Sequence, residues 1–565
     1  MLNWPPLKKK EILLLISCLA IVGCLYLPVL NGFFQQDEWL AFGNRLYFQQ
    51  TDLGELIHYS FQPSGGHYTP LNFLSVHFLF FLLGLNYSAY AVLSIFLHLL
   101  TTFLVFYFSY SLLNNSKKAI VVAFIFGTAS AGFQAVAWSV ADIGTHGSTI
   151  FALLSLTTFF YFLKNQQSRI FIFSLILLVV SLLFKEISLG IVIMMFASLY
   201  LFGEKFYREK KIYGTIIIIF GLLYLLFRMS YLFSNTEIKN SSLAQNSFVH
   251  FQTTKQITYN TFTFPLKGVV QTMIPTDLLV LVAKNLTPYL PNVSSYKPNT
   301  SEFDIYSQKF ALELINAVLF LILISFLIFY FKKKSDNFLI KTVLFSCLFI
   351  IMNSFIYAFS PERSGIISLI DSRNLYFLSV GTAILLTVFF TSWKNFKVFG
   401  YFFIVLFCVL NIVFLTKGLK SLTLHGIIRK QILEKITLAF PHLPEKAIFY
   451  TQGDSSYYGL PEKELILPFQ SGLGQTLLVW YQKEEQFPKE FFQNKFLWEI
   501  TEQGYKEAGG RGFGYFRDFE SLKNAVKQYN IPLNSVVAFS WYSKSQSLID
   551  TTDRIRNQLK SEPVK

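Results

Sequence analysis

The chain has 565 residues, of which 53% are hydrophobic and 14% charged, with 64 phenylalanines and a mean hydropathy of +0.45. Ordinary water-soluble cores do not hide that much apolar surface, so the balance excludes a soluble enzyme and predicts a polytopic membrane protein. The net charge of +15 does not argue for nucleic acid, because much of the basic excess sits in short links between apolar runs, where lysines set membrane orientation.

The first apolar run, residues 11 to 30, follows WPPLKKK, lacks a small-residue cleavage site and has spanning length, which predicts an uncleaved first helix. It leads directly into NGFFQQDEWLAFGNRLYF, residues 31 to 48, with adjacent carboxylates at Asp37 and Glu38. A helix over 35 to 45 places Asp37, Leu40, Ala41 and Asn44 on one face, with Trp39 and Phe42 anchored in the headgroup layer. Adjacent helical residues point about 100° apart, so only one acid faces a site squarely, and Asp37 is the preferred one.

The next apolar stretch, 69 to 85, carries Asn72 and His77, and its periodicity does not distinguish a crossing from an interfacial helix. Further runs near 90–113, 119–137, 146–163, 169–184, 187–203, 211–233, 309–331, 338–359, 373–391 and 397–416 bring the expected crossings to eleven. If 69 to 85 lies in the interface, the basic segments at 8–10, 114–118, 164–169, 204–211, 332–337 and 393–397 share one side, which the positive-inside rule assigns to the cytoplasm. The opposite side then receives the loops 31–89 and 234–308 and everything after 416.

From 417 the composition changes. Charges of both signs appear, KAIFYTQ, ELILPFQ and QTLLVWYQ look like short strands, and the stretch from Leu522 to Lys560 predicts one or two amphipathic helices. EAGGRGFGYF, 507 to 516, neither fits GxGxxG nor opens an apolar helix, so it is not read as a nucleotide loop. The expected fold is thus an all-α polytopic protein of the cell membrane over residues 1–416, with about eleven transmembrane helices and a cytoplasmic N-terminus, followed by a small extracytoplasmic α+β domain over 417–565. The four cysteines all lie within apolar runs and imply neither a disulfide framework nor a metal site.

Ionisable residues are costly beside a membrane unless they are paired or wet, yet under this topology they gather at one end of several helices. The first loop has Asp37, Glu38, Arg45 and His67; later links add Asp142 and His146, then Lys185 and Glu186, then Glu362, Arg363, Asp371 and Arg373. Asp142 and His146, at i and i+4, share a helix face, and together with Asp37 they offer the oxygen and imidazole donors that suit Mg or Mn. Lys185 is placed to hold a lipid phosphate as a point charge, and the Arg373 fork to grip it in bidentate fashion, with Tyr376 one turn on. Each feature has a plain structural alternative: a solvated interfacial helix, a capped helix end, a self-neutralising Lys185–Glu186 turn, an Asp371–Arg373 pair. Taken together, carboxylates beside surface cations suit a reaction in which a carboxylate activates a hydroxyl and a lipid phosphate departs, which is glycosyl transfer.

The order of these motifs resembles the GT-C superfamily of membrane glycosyltransferases. The acidic pair is followed by HYTPLNFLSVHFLFFLLGLNYSAYAVLSIFLHLL, QAVAWSVADIGTHGSTIFALLSLTTFFYF, LLFKEISLGIVIM and SRNLYFLSVG. Within the superfamily the chain is most similar to the branch of protein O-mannosyltransferases and the lipid A aminoarabinose transferases, over roughly residues 11 to 415. The resemblance implies inverting transfer from a polyprenyl-phosphate sugar, with the first-loop acid on Asp37 (Glu38 beside it) as general base or metal ligand, the second-loop acid on Asp142, and phosphate contacts on Lys185 and Arg373. His67 to Leu71 matches the start of an interfacial helix, and His67, Glu186 and Tyr376 are candidate substrate contacts; the carry-over does not extend to His146. The tail resembles no carbohydrate-binding module and the acceptor stays open. The competing functions are a non-catalytic scaffold of the same ancestry and a polysaccharide or lipid transporter.

Overall fold

The computed structural model describes residues 7–62, 68–140, 142–204, 209–234, 254–290, 309–332, 337–359, 369–392, 397–454, 469 and 473–561. Among the described residues, eight helices are long and apolar enough to cross a membrane, or nine if one bent pair counts as a single span. The expectation of eleven is not matched.

In chain order, α1 (Lys9–Tyr26) runs through a short 3₁₀ turn into α2 (Gln36–Gln49) and α3 (Leu53–Ser60). The interfacial candidate is α4 (Pro70–Leu83), whose 14 residues give a length of about 21 Å, short of a hydrocarbon core of about 30 Å. Then come α5 (Tyr87–Leu113), α6 (Ser116–Gly127), the single turn α7 (Gln134–Ala137), α8 (Ile143–Asn165), α9 (Ser168–Phe184), α10 (Gly190–Phe202) and α11 (Lys210–Ser234).

The run at 119–137 is not one helix. It breaks at Ser130–Gly132, where the Ser130 backbone N–H and hydroxyl both donate to Asn411 Oδ1, at 2.9 and 2.8 Å. Tyr376 fills the space beside Gly132, where a Cβ would come within 2.6 Å of its ring. The interrupted segment still lies alongside α5, since the Gly127 carbonyl accepts from His98 and the Val136 carbonyl from Ser94. Helix α9 matches the expected run at 169–184, but it and α10 are too short to count among the eight.

The expected outer loop, 234–308, holds helices instead. Helix α12 (Thr254–Met273) and α13 (Thr276–Leu286) meet at a bend of 108°, and α12 buries Phe264 and Val269 in the main core. Pro265 and Lys267 interrupt the apolar pattern there, which hid the helix. Lys267 is fully buried and paired at 2.7 Å with Glu313 of α14 (Lys309–Lys332). Helices α15 (Asn337–Phe355) and α16 (Ser372–Thr391) complete the bundle.

Helix α17 (Lys397–Ala439) passes the expected boundary at 416 without a break. Its 43 residues reach about 64 Å, roughly twice the hydrocarbon thickness, so the change in composition at 417 falls within one helix. The fold changes only near 440.

The terminal unit is α+β, as expected. It contains β1 (Lys446–Gly453), α18 (Leu473–Tyr481), α19 (Asn494–Glu502), β2 (Gly504–Ala508), β3 (Arg511–Phe516), α20 (Phe519–Gln528), β4 (Val536–Tyr542), β5 (Ser547–Asp550) and α21 (Thr552–Ser561). Sheet order is β2-β3-β1-β4-β5, parallel at its centre and antiparallel at both edges. EAGGRGFGYF is the β2–β3 hairpin, turning on Gly509 and Gly510, both at positive φ, as a two-residue primed turn demands. QTLLVWYQ is a helix, not a strand: α18 is buried on nearly every side, so its apolar run carries no strand alternation or helix stripe. ELILPFQ lies outside the described residues apart from Phe469.

One hydrophobic core joins this unit to the first loop. Trp39 and Phe42 are buried with Phe33, Phe34, Leu477, Phe491 and Leu497, and Trp39 meets Trp480 at 6.4 Å between ring centres. They are therefore not headgroup anchors. Gly43 permits the contact, since a Cβ there would come within 2.9 Å of Leu497, and Asn494 donates to the Tyr59 hydroxyl at 2.6 Å.

Candidate active site

The N-terminus of α2 is fixed by Glu38. Its Oε2 accepts from the Gln35 backbone N–H at 2.5 Å and its Oε1 from the Val140 N–H at 2.8 Å. The expected helix at 35–45 is present, and its start is fastened to the link that carries Asp142. Burial pushes the Glu38 carboxyl up to about 7 against the pull of the two backbone donors and Arg429. A carboxyl raised above its ordinary 4.5 binds its proton more tightly folded than unfolded. The stability it lends is therefore fullest below about 4.5 and declines as pH rises to about 7. Thermal unfolding followed across that window is expected to show this slope in the wild type and to lose it in Glu38→Gln.

Asp37 is the second residue of α2; its side chain lies outside the described residues, as does His67. Glu38 has a structural role, accepting two backbone bonds.

Asp142 precedes α8 and is buried. Its Oδ1 accepts from the Thr145 hydroxyl at 3.0 Å, and the same hydroxyl accepts from Lys185 Nζ at 2.8 Å, giving a carboxylate–hydroxyl–ammonium relay. Lys185 stands in extended conformation between α9 and the turn that opens α10, its carbonyl accepting from Ser148 at 3.1 Å. Burial pulls its ammonium below the usual lysine range, while Asp142 pushes it back up and Arg373 pulls it down. The two cations therefore act on one another within one cluster.

Arg373, in the first turn of α16, lies over the Trp138 ring with its guanidinium carbon 4.6 Å from the centroid, and its Nη2 is 3.9 Å from Asp371 Oδ2. Its backbone N–H donates to Gln134 Oε1 at 3.4 Å, and Ser372 Oγ donates to the Ala131 carbonyl at 3.1 Å, so α16 is keyed to the broken segment before Asp142. Tyr357, after α15, donates to the Asn374 carbonyl at 3.2 Å and feels Arg373, Asp371, Asp142 and Glu186.

Glu186 does not neutralise Lys185 by direct pairing as the turn alternative expects. Its Oε1 pairs with Arg228 of α11 at 3.0 Å and accepts from the Tyr68 N–H at 2.7 Å. Tyr376 is 1% exposed and committed to the core: its hydroxyl donates to His98 Nδ1 at 2.8 Å, because Nε2 must carry the proton given to the Gly127 carbonyl at 3.2 Å. It does not open to a substrate.

The expected metal set is described only in part, since the Asp37 side chain lies outside the described residues. His146 packs edge-on against Tyr376, 5.2 Å between ring centres, while Asp142 turns to Thr145. Among the described residues no three His, Cys, Asp or Glu side chains lie together to hold a metal ion.

The structure thus brings together Glu38, Asp142, Lys185, Glu186, Asp371 and Arg373 from four separate links and sets His146 and Tyr376 apart in the bundle core. Sequence reasoning missed Thr145, Gln134, Arg228 and Tyr357. Arg228 had a signal, as a lone cation in the apolar stretch YLLFRMSYLF; Thr145, Gln134 and Tyr357 are of types too common at helix ends to stand out. Neither a protein-family model nor a curated protein sequence matches the chain.

Proposed function

We propose that the protein is a membrane glycosyltransferase of the GT-C type, moving a sugar from a polyprenyl-phosphate donor to an extracytoplasmic hydroxyl with inversion. One observation carries this: Asp142, Lys185 and Arg373, from three links far apart in sequence, form a single charged cluster to which the α2 N-terminus, with Asp37 on it, is hydrogen-bonded through Glu38 and Val140.

In this reaction the acceptor oxygen attacks the anomeric carbon from the face opposite the phosphate. The new C–O bond forms as the anomeric C–O bond to phosphate breaks, the electron pair leaving with polyprenyl phosphate. The acceptor proton passes to the Asp37 carboxylate. Lys185 and Arg373 stabilise the charge that grows on the departing phosphate, while Asp142, through Thr145, holds the Lys185 ammonium in place. Basic links on the far side set the orientation, with the C-terminal unit outside.

Mass spectrometry of glycans and glycolipids from cells with and without the protein tests the proposal. Loss of one sugar-modified acceptor with accumulation of its polyprenyl-phosphate donor is expected; identical profiles would overturn it. The bent α12–α13 pair with its buried Lys267–Glu313 contact is the feature that favours the transporter alternative. That alternative predicts substrate flux into proteoliposomes without chemical change.

A further inference from the structure

Arg45 stands on the same face of α2 as Glu38, two turns on, and takes no part in the cluster around Asp142. The residue is 4% exposed, and neither its Nε nor its Nη1 has a hydrogen-bond partner among the described residues. Its guanidinium lies 3.5 Å above the Phe73 ring of α4, and the Phe48 and Tyr59 rings pack round Phe73 at 5.6 and 5.3 Å. One turn along α4 from Phe73 is His77, which feels the Arg45 charge and whose Nδ1 is also buried without a partner. The charged state of Arg45 is perturbed by burial and by the Tyr59 hydroxyl, with no carboxylate of the described residues among the influences. Burial draws it down to about 9, so it is a cation at neutral pH.

A buried cation without an anion is one of the more destabilising arrangements a fold can hold, and a ring face compensates only part of it. The described residues supply no such anion, which leaves room for an external one. A guanidinium fork matches two oxygens of a phosphate. The flanking helices suit a lipid-borne phosphate: α3 exposes Leu53 and Ile57, the Phe61 that caps it is also exposed, and α4 exposes Phe78, Phe81 and Leu82, an apolar surround of the kind acyl or prenyl chains cover.

We propose that Arg45, with His77 beside it, seats a lipid-borne phosphate between α2, α3 and α4, separate from the Asp142–Lys185–Arg373 cluster. Its source is either a bilayer phospholipid or a polyprenyl phosphate, which share the group the fork reads. The inference does not depend on sugar transfer, because it concerns binding alone.

The test uses the full-length protein, delipidated in detergent and titrated with phosphatidylglycerol, polyprenyl phosphate or the phosphate-free polyprenol. Thermal unfolding and native mass spectrometry are the readouts. At least one phosphate lipid is expected to raise the wild-type unfolding midpoint and to be retained as an adduct, while polyprenol does neither. Arg45→Met is expected to bind at least about tenfold more weakly, and Arg45→Lys, which keeps charge but not the fork, to fall between. His77→Leu is expected to weaken retention severalfold and supplies the comparison if Arg45→Met does not fold. The phosphate lipid that binds more tightly identifies the source. Equal responses of wild type and the Arg45 and His77 variants, or no wild-type response to either phosphate lipid, would overturn the assignment.

Discussion

Asp37→Asn is expected to slow transfer from a purified polyprenyl-phosphate sugar by roughly 10²–10⁴-fold, the contribution of a positioned general base. The midpoint of thermal unfolding should move by no more than ~2 °C. The amide cannot take the acceptor proton, yet the hydrogen bonds that fix the start of α2 belong to Glu38 and stay intact. Glu38→Ala is the contrasting variant. It strips two buried backbone N–H groups of their acceptor, with a loss of stability on the order of 1–3 kcal/mol for each left unsatisfied. The transfer role of Asp37 is wrong if Asp37→Asn turns over at the wild-type rate.

Asp142 and Lys185 provide the second large effect, because their link through Thr145 joins a buried carboxylate to a buried ammonium that the proposed reaction also uses. Lys185→Met is expected to reduce turnover by about 10²-fold or more through loss of charge opposite the leaving phosphate, with Lys185→Arg partly active. Asp142→Asn leaves the ammonium without its largest compensating charge and should lower the unfolding midpoint measurably. Combining the two substitutions removes both charges, so the double variant should be more stable than Asp142→Asn alone while remaining inactive. Additive losses of stability would show that the two groups do not interact, and normal turnover by the double variant would remove them from the chemistry.

The long apolar helices at 90–113, 146–163, 309–331, 338–359 and 373–391 were legible because runs of that length have no other common solution. So was the α2 helix, and so was the shortness of α4. The bent pair α12–α13 was not, since Pro265 and the Lys267 charge erase its apolar run, and the Glu313 carboxylate that helps make that lysine tolerable is on another helix. QTLLVWYQ was misread for the opposite reason: burial on every side leaves no periodicity by which to tell helix from strand.

The candidate site divides in the same way. Charges placed at helix ends pointed to Asp142, Lys185, Glu186 and Arg373, because ionisable groups beside a membrane are conspicuous against an apolar background. Their partners were invisible. That Lys185 reaches Asp142 through Thr145, that Glu186 belongs to Arg228, and that Tyr376 is spent on His98 are facts of side-chain direction between helices far apart in sequence.

By itself, then, the sequence determined that this chain is a bundle of apolar helices with charge gathered at their ends and a mixed α+β unit after them, because hydropathy and helix periodicity are local properties. Only the tertiary structure decided which charges meet, that the C-terminal unit shares its core with α2 through Trp39 and Phe42, and that Arg45 is buried without a counter-charge among its described neighbours. Those outcomes depend on which helix faces pack together, and packing is a sum over distant contacts that no local stretch encodes.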